Sequence, residues 1–412
     1  MKILIVCQYF YPESFRITDI ALELKKTGHK VSVLTGMPNY PEGRFYKGYG
    51  LLSKKRGMVG GVHVRRALIV PRGKGKTIDL AMNYFSFIAS ASLSALRVHH
   101  GDYDVVFVYQ LSPVTMAIPG IVAATKAHVP LVTYVVDLWP ESLSAAGGTK
   151  NRKVLSLVGK LVDWIYRKSA RVLVASLGFI EPIVLRGHAP NKLRYIPQYP
   201  EDLYRQVIVP ETDPAREEMP RGFIVIFTGN IGAAQNLGVV VDAAEELAEY
   251  HDIYWVLIGD GRARVDLQHR VKARGFDRRI LFFGKRPMAR IPTYLSLADL
   301  ALVCLSPEPL FALTLPAKIQ SYFACGIPVV GSADGDAAQV IVESGAGLAG
   351  PAGDASALAQ NVLAMYRSSP DERMAYANNA LRYYNEHFRK ERLIAEIELN
   401  LRQVVDITGG KP

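Results

Sequence analysis

The sequence has few cysteines and no apolar run of the length that readily crosses a membrane. Cys7, Cys304 and Cys325 are the three cysteines among 412 residues, and none lies in a C-x-x-C pair. Neither a disulfide framework nor a zinc site is therefore indicated. The first residues, MKILIVCQYFYPE, contain a short apolar run without a small-residue cleavage site. This favours a first β-strand over a signal peptide, and we expect a protein of the reducing cytoplasm.

Acidic residues are fewer than basic ones, 38 against 49, which gives a formal net charge of +11. Such a charge favours anionic partners. Eight basic residues gather just before an apolar segment, 80–96: Lys54, Lys55, Arg56, Arg65, Arg66, Arg72, Lys74 and Lys76. Basic residues beside an apolar segment are typical of proteins that bind an anionic membrane surface. We therefore expect a cytoplasmic protein, peripheral on the inner face of the cell membrane, that does not bind nucleic acid.

The apolar segment itself leaves two alternatives open. Residues 80–96 carry no charge, but they are slightly short for a membrane span, which needs about 20 residues. Asn83 and four serines also make the segment less apolar. It is predicted either as a core helix or as a helix at the membrane, and peripheral docking is favoured over spanning.

Short apolar strands alternate with amphipathic helices along both halves of the chain. Apolar residues 3–7 and 31–34 flank a helical pattern, which predicts a β-α-β unit and a parallel sheet. Residues 198–222 lack hydrophobic periodicity and are rich in proline and acidic residues, as expected of a linker. The pattern predicts an α/β fold of two doubly wound Rossmann-like domains facing each other across a cleft. We place these domains at 1–200 and 201–385, followed by a helix, 386–412, that crosses back to the first.

The segment Leu315–Gly331, LPAKIQSYFACGIPVVG, predicts a helix that leads into a buried strand. Pro316 suits the first helical position, and Gly326 followed by Pro328 ends the helix. Lys318 then lies in the first turn, where a cation opposes the helix dipole unless an anion binds there. A bound phosphate would explain this lysine, and a solvated surface lysine is an alternative of about equal weight.

Two glycine-rich segments join predicted strands to predicted helices in the second half of the chain. They are residues 228–236, TGNIGAAQN, and residues 259–262, GDGR. Glycines allow the backbone to approach a phosphate closely, although ordinary tight turns also use them. Neither segment has the P-loop ending or the G-x-G-x-x-G spacing, so ATPase and nicotinamide-binding functions are disfavoured.

The segment Asp137-Leu138-Trp139-Pro140-Glu141 follows a predicted buried strand and combines carboxylates with an aromatic ring. Carboxylates accept hydrogen bonds from sugar hydroxyls and an aromatic face packs on sugar C–H groups, so a sugar site is one interpretation. A helix-capping aspartate and a core tryptophan form the alternative. Asn39 and Tyr40 follow an adjacent strand. The D-x-D pairs at 102–104 and 334–336 are patterns that arise by chance, and we assign no metal.

Six segments together resemble family 4 glycosyltransferases: MKILIVCQYFYPE, GHKVSVLTGMPNYPEG, DLWPES, IPQYPEDLY, FTGNIGAAQNL and LPAKIQSYFACGIPVVG. Within that family the chain is most similar to bacterial enzymes that transfer fucose, N-acetylfucosamine and related sugars in O-antigen, capsule and colanic acid assembly. The resemblance implies a GT-B fold and a nucleotide-sugar donor bound by the C-terminal domain. It also implies transfer with retention at the anomeric carbon, without metal and without a cofactor.

The resemblance assigns roles to Lys318, Asp137, Gly229, Asn230, Gly232, Arg16 and Asn39, and the other roles in this paragraph come from the sequence patterns described above. Catalytic roles are predicted for Lys318 and Asp137. Donor binding is predicted for Gly229, Asn230, Gly232, Gln235, Asn236, Gly259, Arg262 and Ser321. Acceptor binding is predicted for Arg16, Asn39, Tyr40, Trp139 and Glu141. The chain departs from the wider family at Leu313 and Ser321, where two glutamates eight residues apart usually stand, and at Ser14-Phe15, where many relatives have glycines.

The predicted function is transfer of one sugar from a UDP- or GDP-sugar to a lipid-diphosphate-linked saccharide in cell-surface polysaccharide biosynthesis. Two alternatives stay open. A nucleotide-sugar epimerase of GT-B-like fold would need a proton-transfer residue that the sequence does not identify. A non-catalytic partner that binds nucleotide sugar is compatible with the missing glutamate pair.

Overall fold

The computed structural model describes residues 1–50, 53, 55–145, 149 and 151–409. The chain divides into two compact units. The first unit contains residues 1–196 together with the chain from Ile394 onward, and the second contains Pro197–Leu393. Lys54, part of the predicted basic cluster, lies outside the described residues.

The first unit is built on an eight-stranded sheet in the order β3-β4-β2-β1-β5-β6-β7-β8, in which only the β3–β4 pair is antiparallel. Its strands are β1 (Lys2–Val6), β2 (Lys30–Gly36), β3 (Arg56–Val59), β4 (Val62–Ala67), β5 (Val105–Gln110), β6 (Leu131–Val135), β7 (Arg171–Val174) and β8 (Leu193–Tyr195). Its helices are α1 (Arg16–Lys26), α2 (Thr77–Ala95), α3 (Ile118–Ala127), α4 (Glu141–Ala145), α5 (Arg152–Lys168), α6 (Ile180–Leu185) and most of α16 (Lys390–Gly409).

The second unit is built on a six-stranded parallel sheet in the order β11-β10-β9-β12-β13-β14. Its strands are β9 (Phe223–Asn230), β10 (Ile253–Asp260), β11 (Ile280–Gly284), β12 (Leu300–Cys304), β13 (Val329–Ser332) and β14 (Gly347–Gly350). Its helices are α7 (Pro214–Glu218), α8 (Gly238–Glu246), α9 (Arg264–Ala273), α10 (Ile291–Leu295), α11 (Pro309–Ala312), α12 (Ala317–Ala324), α13 (Gly335–Glu343), α14 (Ala355–Arg367) and α15 (Pro370–Tyr383).

Both faces of the second sheet are covered, which explains its unbroken apolar strands. Ile226 and Val256 pack into a core on one face, whereas Val225 and Trp255 pack into a core on the other. Successive residues of a strand point to opposite faces, so a strand buried on both sides needs apolar residues throughout. The continuous apolar runs therefore correctly predicted parallel strands between helices.

Helix α2 contains most of the apolar segment 80–96, and its two faces differ. Asn83, Phe87 and Ala91 are buried against the first unit, as a core helix requires. Five apolar side chains stay largely exposed on the other side: Ile78, Met82, Phe85, Leu93 and Leu96. Among the helices in the described ranges, none is both long and apolar enough to cross a membrane.

The predicted basic cluster is not one continuous surface. Residues 56–67 form the β3–β4 hairpin, which the sequence analysis did not anticipate. The Arg66 side chain is buried, and its NH2 donates a hydrogen bond to the Tyr11 carbonyl at 2.7 Å. Arg65 NH1 donates to the Ser94 carbonyl at 3.2 Å. Treating Arg66 as a membrane-facing charge was therefore wrong, whereas Lys74 and Lys76 are exposed.

Candidate functional site

The second sheet changes direction of winding between β9 and β12, where ligands bind in doubly wound folds. The loops that follow these two strands meet there. The Ser306 amide donates a hydrogen bond to the Ala234 carbonyl at 2.9 Å. Helix α12 is fixed beside them, because the Thr228 amide donates to the buried Tyr322 hydroxyl at 3.0 Å. This crevice contains the predicted donor-binding residues of β9 and α12.

Lys318 is directed towards the end of β9. Pro316 caps the helix instead of forming its first residue, so Lys318 is the second residue of α12. The Lys318 ammonium lies 3.8 Å from the centre of the Phe227 ring, and it donates a hydrogen bond to Gln235 Oε1. Removal from water lowers the pKa of Lys318 to about 7. This position differs from that of a solvated lysine and leaves the amine beside Gly229 and Gln235.

The glycines at the ends of β9 and β10 allow the two backbones to approach each other. Gly229 and Gly259 have φ angles of +137° and +142°, and they are paired in the parallel ladder. A Cβ atom at Gly259 would lie 1.8 Å from the Gly229 carbonyl oxygen. Only glycine fits at 259 for this reason, whether or not a phosphate binds.

The other predicted donor-binding residues lie in the same unit but differ in exposure. Asn230 is exposed and Gly232 half-buried, and Asn236 has a left-handed backbone with φ of +42°. Ser321 Oγ donates to the Ala317 carbonyl of its own helix at 3.3 Å. Arg262 is exposed.

Arg264, two residues after Arg262, was missed by the sequence analysis. Its NH1 lies 3.6 Å from Asp260 Oδ1, and its side chain is only about a quarter exposed, at 27%. Within the described part of the chain, its buried Nε has no hydrogen-bond partner. Arg262 and Arg264 are close in the sequence, and only the packing shows that Arg264 is the one held beside Asp260 at the end of β10.

In the first unit, the buried carboxylate of Glu13 joins the loops that follow β1 and β2. Glu13 Oε1 accepts hydrogen bonds from the amides of Asn39 and Tyr40, both at 2.8 Å. Glu13 Oε2 accepts one from the Phe10 amide at 3.2 Å. Burial raises the pKa of Glu13 to about 7, against the lowering effect of these amides and of Arg66. The sequence analysis did not identify Glu13 as important.

Asn39, whose amide is bound by Glu13, has its side chain inside the protein. It is buried, and its Oδ1 accepts a hydrogen bond from the Arg72 amide at 2.9 Å and from Asn83 Nδ2 at 3.4 Å. Its Nδ2 donates to the Met37 carbonyl at 3.1 Å. The Asn39 side chain therefore holds the loop in place, while its neighbour Tyr40 is 40% exposed.

Arg72 forms a cationic centre among aromatic rings at this edge of the sheet. Its guanidinium carbon lies 5.2 Å from the centre of the Tyr40 ring and 5.8 Å from those of Tyr9 and Tyr84. Phe15 stacks on Tyr9 with ring centres 4.9 Å apart. These residues are far apart in sequence, so the cluster could not be predicted from local pattern.

Asp137 and Trp139 are joined through Ser112. Ser112 Oγ donates to Asp137 Oδ2 at 2.7 Å and accepts from Trp139 Nε1 at 3.1 Å. Burial raises the pKa of Asp137 above its usual range. Asp137 lies four residues before α4, too early to cap it, and Trp139 is only partly buried, so the alternative of a capping aspartate and a core tryptophan does not hold.

Arg16 and Glu141 begin the helices that follow β1 and β6. Arg16 is the first residue of α1, and Glu141 is the first of α4. Within the described residues, Glu141 Oε2 is buried without a hydrogen-bond partner. The structure thus places all five predicted acceptor residues in loops or helix starts at the carboxyl ends of β1, β2 and β6.

Comparison with known proteins decides the family. Residues 14–198 match the family described as glycosyl transferase 4-like domain, and residues 222–368 match glycosyl transferases group 1. The chain is a glycosyltransferase. Both matches fall in the expected halves, and together they leave out little beyond the chain ends and the junction between the units.

A curated relative is similar in sequence to this chain, and two solved structures are similar in fold. A protein of Escherichia coli (strain K12) named as a colanic acid biosynthesis glycosyl transferase, WcaI, is 24% identical over 339 residues, covering 79% of this chain and 82% of that one. The crystal structure of Anabaena HepE in complex with UDP has a TM-score of 0.71 at 17% identity, over 98% of this chain and all of that one, 100%. Sucrose-phosphate synthase from Thermosynechococcus elongatus has a TM-score of 0.73 at 16% identity, with 98% and 99% covered. The glycosyltransferase has the GT-B α/β fold.

We expect Glu13→Gln to change how the stability of the transferase depends on pH. The pKa of Glu13 rises from 4.5 to about 7 on folding. The folded state therefore keeps a proton that the unfolded state loses, and the stabilisation present below pH 4.5 is lost as the pH rises through 7. The loss is at most about 3 kcal/mol, and glutamine removes it. Thermal unfolding midpoints at about pH 5 and about pH 8 measure the effect.

Glu42→Gln is the matched control, because Glu42 is exposed in the loop after β2, to which Glu13 is hydrogen-bonded. From the lower to the higher pH, the thermal unfolding midpoints of the wild type and the Glu42 variant should fall by more than the midpoint of the Glu13 variant. An equal loss in all three proteins would show that Glu13 does not keep its proton on folding.

Proposed function

We propose that this glycosyltransferase moves a sugar from a UDP- or GDP-sugar to a lipid-diphosphate-linked saccharide, with retention at the anomeric carbon. The sugar is of the fucose or N-acetylfucosamine type, and the product belongs to a cell-surface polysaccharide such as O-antigen or capsule. The observation that carries the proposal is the Lys318 ammonium, held at the winding reversal of the second sheet. The name of WcaI, which refers to colanic acid, and the UDP bound to HepE support it.

Lys318 neutralises the leaving diphosphate in this proposal. Charge builds on the bridging phosphate oxygen as the bond to the sugar breaks, and a cation fixed in advance stabilises that charge. The half-buried amine, beside the Phe227 ring, is already separated from bulk water. Amides at the start of α12 point in the same direction as the helix dipole and add donors for the phosphate. Gln235 holds the amine until the donor arrives.

The first unit binds the acceptor in this proposal. Asp137 accepts a hydrogen bond from the acceptor hydroxyl, with its carboxylate oriented by Ser112. Tyr40 and Trp139 offer partly exposed aromatic surface to the sugar rings. Arg72 supplies a positive charge for the acceptor diphosphate, and it lies five residues before the start of α2.

Helix α2 brings the transferase to the membrane that contains its acceptor. Together with the exposed Ala89, its exposed apolar side chains recur every three or four residues from Ile78 to Leu96, which places them in one stripe. Lys74 and Lys76 lie before the stripe and Arg97 after it, all exposed. An apolar stripe flanked by cations matches the boundary between the acyl chains and anionic headgroups of a bilayer.

Replacing Lys318 should abolish most of the transfer. We expect Lys318→Met to lower turnover by about 100-fold or more, because stabilisation of the leaving group is lost. The assay follows one-sugar extension of a lipid-diphosphate saccharide and release of nucleoside diphosphate. Lys272→Met is the control, since Lys272 is an exposed lysine of the same unit in the last turn of α9. Near-native turnover in the Lys318 variant would eliminate its catalytic role.

Binding of UDP or GDP should draw a proton onto Lys318. At about pH 8 an amine with a pKa of about 7 is mostly neutral, and a nearby diphosphate raises that pKa. We expect uptake of nearly one proton per nucleotide at about pH 8 and little at about pH 6. Titration calorimetry in buffers of different ionisation enthalpy measures the uptake. Lys318→Met should show none, and equal uptake in both proteins would assign the proton to another group.

Membrane binding should depend on the exposed face of α2. We expect co-sedimentation with anionic vesicles, partial release by high salt, and strong loss of binding for Phe85→Ser with Leu93→Ser. Reversal of Lys74 and Lys76 to Glu should also weaken binding, because each cation near the surface contributes about 1 kcal/mol. The control is Val265→Ser with Val342→Ser, two exposed apolar residues of the second unit. A wild-type protein that stays in the supernatant at low salt would favour a soluble acceptor.

A further inference from the structure

An open cavity of about 840 Å³ lies in the first unit, at the amino ends of the strands. Leu131 and Arg171, the first residues of β6 and β7, line it together with the ends of α3 and α5. The predicted acceptor residues lie on the other side, at the carboxyl ends. A strand of five residues is about 16 Å long, so the two edges are well separated. A cavity of this size is in the usual range for small-molecule sites.

The lysines and arginines that line the cavity have no acidic residue among them. Arg167, Lys168, Arg171 and Lys192 contribute to its wall, and no aspartate or glutamate does. Lys192 Nζ donates to the carbonyl of Tyr166 at 2.7 Å, and Arg167 and Lys168 are exposed at the rim. Four like charges around one concave surface repel each other, and an anion placed between them removes that repulsion.

Arg171 is a buried charge without a counter-ion. The side chain is buried, and its NH1 donates only to two neutral amide oxygens, Asn400 Oδ1 at 2.7 Å and Gln403 Oε1 at 2.9 Å. Within the described part of the chain, its Nε has no hydrogen-bond partner, and the acceptors of its NH1 are amide oxygens, not carboxylates. Burial, together with repulsion from Arg194, lowers the pKa of Arg171. A buried ion that lacks a partner is strongly disfavoured unless an anion compensates it.

We propose that this cavity is a second, non-catalytic site for a phosphate-bearing ligand. The multiple positive charges fit a phosphate or diphosphate group, which can accept several charge-assisted hydrogen bonds. Ile121, Val129 and Leu131 form an apolar part of the wall, so an organic phosphate fits better than a free inorganic ion. The same chemistry belongs to a soluble phosphate ester and to the headgroup of an anionic phospholipid.

Inorganic pyrophosphate is the probe that tests the site. Calorimetric titration of the Lys318→Met protein measures binding without the cation that we assign to the donor phosphate, so a failure of the proposed function does not affect this test. We expect Arg167→Glu with Lys168→Glu to weaken binding at least about tenfold. Arg152→Glu with Lys153→Glu makes the same change of charge at the other, exposed end of α5 and should leave binding nearly unchanged. Arg171→Gln should weaken binding as well. If the Arg171 variant does not fold, the test rests on Arg167→Glu with Lys168→Glu.

Vesicles of phosphatidylglycerol, compared with phosphatidylcholine, distinguish the two sources of phosphate. Loss of phosphatidylglycerol binding in the rim variant assigns the site to a lipid headgroup, whereas unchanged vesicle binding with weakened pyrophosphate binding assigns it to a soluble ligand. Absence of pyrophosphate binding in the Lys318→Met protein, or equal weakening by the two double substitutions of α5, would overturn the proposal.

Discussion

The separation of the Lys318 ammonium from water is the constraint around which the second unit is arranged. Among the described residues, no carboxylate lies close enough to neutralise it, and its contacts are a glutamine oxygen and the face of Phe227. Tyr322 fixes α12 to β9 through Thr228, so the lysine cannot move away with its helix. An anion placed at the end of β9 would offset part of the free energy that the folded protein gives up by burying this amine.

The first unit also removes an ionisable side chain from water, in this case the carboxyl group of Glu13. Glu13 is buried, but it accepts hydrogen bonds from three backbone amides in the loops that follow β1 and β2. Its hydrogen bonds fix the backbone of Asn39 and Tyr40, and Asn39 in turn positions the Arg72 amide. The aromatic surface around Arg72 therefore depends on a residue that does not belong to it. Loss of Glu13 is expected to move several candidate acceptor residues together.

The fold of this chain is shared by proteins whose sequences differ widely from it. Structures that share only 16% or 17% identity with this chain superpose over 98% of it. The sheets and helices are thus compatible with many sequences, while substrate choice is made by loops at the strand ends. In this chain Leu313, directly after α11, and Ser321, within α12, stand at the two positions for which the family resemblance implies glutamates. Ser321 bonds to its own helix, and neither side chain supplies a carboxylate.

The sequence by itself determined the parallel strands, the crossover helices, the glycine turns after β9 and β10 and the helix that carries Lys318. These features follow from local periodicity and from the backbone freedom of particular residues, which act over a few positions of the chain. The sequence could not identify Glu13, Arg264 or Arg171. It also could not place Arg72 among aromatic rings, nor show that α2 is buried on one face and apolar on the other. The surroundings of those residues come from strand ends and helices that are far apart in the chain. Only the tertiary structure decides which polar groups are removed from water together, and that exclusion of water sets their charge and their chemistry.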